Sequence, residues 1–87
     1  MDKTIIIDIF GWLGVTLFLV AYALVSTRKL EGDSVINQVM NILGGILLIA
    51  NSFYYRAMPS VGINVAWIGI AIFALTRKLN QPLIKSD

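Results

Sequence analysis

The residues of this chain that could recognise another molecule are few, and most are carboxamides. Asn37, Asn41 and Asn51 lie within one apolar stretch and Asn64 within the next. At helical spacing Asn37, Asn41, Gly44, Leu48, Asn51 and Tyr55 fall on one stripe, the successive steps being 4, 3, 4, 3 and 4. Asn64, Trp67, Ala71 and Ala74 form a second stripe, an amide and an indole followed by small side chains that leave room. Amides for hydroxyl groups and a flat ring to stack on are the lining a sugar-sized polar ligand requires. The candidate substrate-binding residues are therefore Asn64, Trp67, Asn41, Asn51 and Asn37. The competing role for each amide is glue between membrane helices, averaging about 0.6 kcal/mol apiece.

Asp8 is the one carboxylate inside an apolar stretch. It is either a proton-coupling acid or a negative charge placed near a helix start, where the macrodipole favours it. Trp12, Tyr22, Tyr54 and Tyr55 stand near stretch ends and read as interfacial belt residues. Catalysis lacks its usual groups. The chain has no Cys and no His, no paired carboxylates within one stretch and no phosphate-cradling glycine loop, and Glu31, Asp33 and Asp87 fall in connections or the tail. The expectation is a protein that is not an enzyme and holds neither metal nor cofactor.

What positions these side chains follows from composition. Of 87 residues, 57% are hydrophobic and 14% charged, and mean hydropathy is +0.80. A soluble domain this small buries only about 60% of its unfolded surface, so polar residues must cover the rest. They are missing here, which excludes a soluble globule, a disordered segment and a nucleic-acid module. Three apolar runs predict one all-α transmembrane domain over residues 1–87, with helices at about 5–25, 35–55 and 59–76. Lys3 stands between Asp2 and Asp8, which is not the basic start of a signal peptide, so the first run is read as a retained span.

The first link is polar, with Gly32 for a turn and Asp33 or Ser34 for an N-cap. The second, from Arg56 to Ser60, is short enough to make its two helices antiparallel neighbours, and Pro59 suits a first helical turn. Gly62, Ala66 and Gly69 form a small-residue stripe that admits a close helix, a role open also to Gly11, Gly14 and Gly45. Basic residues divide unequally. Arg28, Lys29, Arg77, Lys78 and Lys85 share one side of a three-span chain, and Lys3 and Arg56 the other. Five against two puts the C-terminus in the cytoplasm and the N-terminus outside.

Three spans with an external N-terminus, and the run Ser26-Thr27-Arg28-Lys29-Leu30-Glu31-Gly32-Asp33-Ser34 after the first, resemble the single repeat of the PQ-loop superfamily, the bacterial SemiSWEET sugar transporters. The resemblance implies a three-helix bundle in a bacterial inner (plasma) membrane, transport of a small polar solute such as a sugar, and a substrate-binding asparagine on the third helix, where Asn64 fits. Gly11-Trp12 and the series Pro59-Ser60, Asn64, Trp67 are closer still to a group of short uncharacterised bacterial three-span proteins. Leu19-Val20 stand where the superfamily has its proline–glutamine pair, no span interior contains proline, and the tryptophan those transporters carry on the second helix is missing.

Three helices cannot enclose a pathway alone, so a transporter of this size must pair with a second copy about a two-fold axis along the membrane normal. The expected partners are the lipid bilayer, a second copy in a homodimer and a small polar solute, with no nucleic acid. Asn41, Asn51, Asn64 and Trp67 are expected near the shared seam. The alternative is a structural or interaction protein whose asparagines bond across a closed seam.

Overall fold

The computed structural model of the chain describes residues 2–80. Lys85 and Asp87, placed above in the cytoplasmic tail, lie outside the described residues. Three helices follow one another: α1 Lys3–Ser26, α2 Val35–Tyr54 and α3 Met58–Leu79. Each is long and apolar enough to cross a membrane. At 1.5 Å per residue they measure about 36, 30 and 33 Å, against a hydrocarbon core of about 30 Å.

Local chemistry sets the helix ends. Asp2 caps α1, its carboxylate accepting from the Thr4 N–H at 3.0 Å, so the helix starts two residues before the apolar run does. Ser34 caps α2 by accepting from the Asn37 N–H at 3.1 Å. α3 starts with Pro59 in its first turn and continues past the expected residue 76 to Leu79. Its last turn carries Arg77 and Lys78, where the helix dipole favours cations. Arg77 lies over the Phe73 ring at 5.8 Å. Lys78 reaches Glu31 at 3.8 Å and Asp33 at 3.7 Å, linking the end of α3 to the first connection.

The C-terminal ends of α1 and α2 share one device. The Lys29 N–H donates to the Leu24 carbonyl and that of Arg28 to Val25; likewise Ala57 donates to Ser52 and Arg56 to Phe53. This double bond pattern closes a helix through a left-handed residue, for which glycine is the usual choice. Here arginine fills the position both times, Arg28 at φ 64° and Arg56 at φ 59°. The second link is thus only residues 55–57, shorter than expected.

α2 lies between its neighbours and packs against both, while the α1 and α3 backbones do not meet. Glycines make the two seams. A Cβ at Gly14 would come within 2.8 Å of the Gly44 carbonyl oxygen, and one at Gly44 within 2.8 Å of Phe18. On the other side of α2, a Cβ at Gly45 would meet Ile68 at 2.6 Å. Close backbone approach through glycine is how membrane helices gain packing without a hydrophobic driving force.

The chain is apolar outside and polar within. Among the described residues only Ala21 and Ala71 are buried hydrophobics, whereas Asn37, Gln38, Ser52 and Asn64 are buried polar residues. Trp12, Leu19, Ile63, Ile70 and Phe73 face outward. Water would not tolerate that distribution, and acyl chains do. This is a membrane protein.

Candidate functional site

The asparagine stripe of α2 turns inward onto α1 and α3, but its members serve different ends. Asn37, buried near the start of α2, donates through its carboxamide to the Gly32 carbonyl at 2.7 Å. Gln38, the next residue, donates to the same oxygen at 2.7 Å. Two buried amides thus fold the first link back onto α2. Asn51 donates to the Ile7 carbonyl of α1 at 2.9 Å, and Gly11 leaves the space it occupies, since a Cβ there would meet the Asn51 amide at 2.6 Å. Asn64, on α3, donates to the Ser60 carbonyl at 2.9 Å and approaches the Ser60 hydroxyl at 3.3 Å. That hydroxyl bonds Ser52 on α2 at 2.7 Å.

Asn41 differs. Its carboxamide oxygen accepts from the Trp67 indole N–H at 3.4 Å, while its amide nitrogen has no partner among the described residues. Trp67 is half-exposed and borders three cavities. The largest, about 330 Å³, is lined by Phe18, Tyr22 and Val25 of α1, Asn37 and Asn41 of α2, and Trp67 of α3. A second, about 190 Å³, lies between α2 and α3 beside Gln38, Asn41 and Ala74. A third, about 230 Å³, is bounded by Phe18, Ile63 and Asn64. Phe18 and Trp67 tilt toward each other across the gap between α1 and α3, ring centres 6.4 Å apart. Ala71 and Ala74 supply the room, as their place on the Trp67 stripe implies.

Three of the five expected residues, Asn37, Asn41 and Asn64, therefore border cavities that a fourth, Trp67, also lines. Asn51 does not; it lies ten residues further along α2, about 15 Å away along the helix axis. There it borders a separate hollow of about 230 Å³ with Asp8, Gly11, Trp12, Val15 and Leu48. Asp8 is in the second turn of α1 and accepts from the Tyr55 hydroxyl. Tyr55 caps α2 just beyond the span, and that bond, reinforced by nearby acidic charge, pushes its phenol up to about 12. Thr4 and Tyr54 join the same ends at 3.2 Å.

Of the α1 contributions, Tyr22 was expected as an interfacial belt residue and instead borders the cleft, while Phe18 and the buried Gln38 were not singled out by sequence pattern. Gln38 had a visible signal as a fifth amide in the spans, whereas Phe18 is distinguishable from other apolar residues only once the helix crossing is known. The Gly62, Ala66 and Gly69 stripe faces outward, with no atom near a Cβ built at Gly62 or Gly69. Gly11, Gly14 and Gly45, by contrast, sit in helix seams.

A family model matches residues 7–82. The chain belongs to that family. The family is uncharacterised, so membership assigns kinship and no activity. No curated protein and no solved structure matches the chain.

Proposed function

We propose that the chain carries a small polar solute, such as a sugar, across the membrane as a homodimer of SemiSWEET type. One observation carries this reading: the Asn41 carboxamide, with an uncommitted N–H₂ group, stands beside the Trp67 ring in a cleft that all three helices line. The amide bonds solute hydroxyls, the indole and Phe18 stack on the sugar face, and Asn37 and Asn64 form the polar border. Two copies facing each other across these clefts close the pathway. Pro59 is at the start of α3 and each helix runs unbroken, so access alternates by rocking of whole protomers, without a hinge inside a helix. The charge bias of the links supports an external N-terminus and a cytoplasmic C-terminus, in a bacterial inner membrane.

A second reading has its own support. Asn37, Asn51 and Asn64 each donate to a backbone carbonyl of the same chain, which is what a structural or interaction protein does with membrane amides. Purified protein reconstituted in liposomes separates the two. Transport predicts saturable flux of at least one solute from a panel of sugars and polar metabolites, lost in Asn41→Ala and Trp67→Ala while helicity persists. No flux across the panel, with both variants altering stability alone, favours the structural role.

A further inference from the structure

The hollow around Asp8 lies apart from the Trp67 cleft, at the opposite end of α2, and its chemistry is of the opposite kind. Its polar groups are mostly acceptors. One Asp8 oxygen accepts from Tyr55, and the other has no hydrogen-bond partner among the described residues. The Asn51 amide nitrogen is spent on Ile7, which leaves its carbonyl oxygen as the group available to a ligand. Among the described residues Lys78 forms the ion pairs, with Glu31 and Asp33, and neither Lys3 nor Arg56 forms one with Asp8. A carboxylate oxygen without a partner, one to two turns inside a membrane helix, is a group that a cation can bind.

Geometry narrows the cation. No cluster of three or more acidic, His or Cys residues able to hold a metal exists among the described residues. Two oxygen-bearing side chains are far short of the six to eight oxygens a hard cation such as calcium takes. The remaining walls are apolar or aromatic: Val15, Leu48 and the Trp12 indole. A cavity of about 230 Å³ exceeds the roughly 30 Å³ of one water several times over. A carboxylate, a carbonyl and the largely exposed Trp12 indole at the rim of a space of that size suit an alkylated ammonium group, which charge attracts and an aromatic ring can cover.

We propose that the Asp8–Asn51–Trp12 hollow binds a small alkylated ammonium ion, either free or as the headgroup of a lipid. The test is equilibrium binding of radiolabelled choline to the purified full chain in nonionic detergent. Expected is saturable binding that tetramethylammonium displaces and equimolar sodium does not, weakened at least tenfold in Asp8→Asn and in Trp12→Leu. Repeating the measurement in nanodiscs identifies the source. Weaker choline binding in phosphatidylcholine than in phosphatidylethanolamine discs, both containing the same share of phosphatidylglycerol so that surface charge is matched, marks the headgroup as the resident ligand, and equal binding marks the free ion. Displacement by sodium equal to that by tetramethylammonium overturns the proposal, as does unchanged binding in Asp8→Asn. If Asp8→Asn loses its helical circular dichroism, the sodium comparison on the unaltered chain and the Trp12→Leu variant decide.

Discussion

Alanine at Gly14 should pry α1 from α2, and the structure sets the size of the effect. The new Cβ would lie 2.8 Å from the Gly44 carbonyl oxygen and 2.8 Å from Leu48 Cγ. Non-bonded carbon atoms prefer about 3.5–4.0 Å, so the shortfall is about 0.7 Å or more. Leu48 can change rotamer, but the carbonyl belongs to the α2 backbone and moves only with the helix. Overpacking of this kind costs about 1–3 kcal/mol. Alanine returns up to about 1 kcal/mol of intrinsic helix preference over glycine. With the full return, the net expectation is a loss of about 0–2 kcal/mol, and Gly14→Ala should fall below a Gly69→Ala control by about 1–3 kcal/mol. Gly69 supplies the control, because nothing lies within 4 Å of a Cβ there; Gly69→Ala should be neutral or stabilising by up to about 1 kcal/mol. Unfolding by sodium dodecyl sulfate in mixed micelles, followed by far-ultraviolet circular dichroism, measures both. Equal stability of the two variants, or a Gly14→Ala chain more stable than Gly69→Ala, would refute the placement of Gly14 in the α1–α2 seam.

Two further outcomes follow from the helix ends. Arg56 holds a left-handed backbone at φ 59°, a conformation that costs an ordinary residue roughly 1–2 kcal/mol and glycine little. Arg56→Gly should therefore raise stability by about 1 kcal/mol in the same unfolding assay. It should also keep the topology, since it removes a positive charge from the side with fewer. Tyr55 should ionise late, because its phenol is raised from 10.0 to about 12, chiefly by the bond to Asp8. A raised folded-state pKa stabilises fully below the unfolded value, so this contribution is intact up to about pH 10 and lost as pH climbs through 12. Absorbance titration of the phenolates should show a component near pH 12 that disappears in Tyr55→Phe.

The spans were legible in the sequence because length, hydropathy and link charge are local properties. Asn37, Asn41, Gly44 and Asn51 could also be assigned to an inward stripe from their 3.6-residue period alone. Which of them remains free for a ligand could not. Asn51 is consumed by a carbonyl 44 residues away, and Asn37 by the bend of the first link; both depend on how chain segments cross. The helix stops were hidden for a different reason. Both left-handed positions carry arginine where glycine is the signal, and Gly32, the glycine of the first link, takes no positive φ. The same limit separates Gly14 from Gly69: identical in sequence terms, one is in a helix seam and the other open. Asn41 was recognisable as polar and helical, but its pairing with Trp67 required α2 and α3 to pack through Gly45 and Ile68.

Transport through the Trp67 cleft requires that polar solute reach Asn41 in the middle of an apolar chain. The sequence has no cysteine, so single thiols report directly on access. Asn41→Cys in intact membranes should react with a small charged thiosulfonate reagent, whereas Leu43→Cys, at a position 49% exposed on the outer face of α2, should stay unmodified in lipid. An Asn41 thiol as inert as the one at Leu43 would contradict the account.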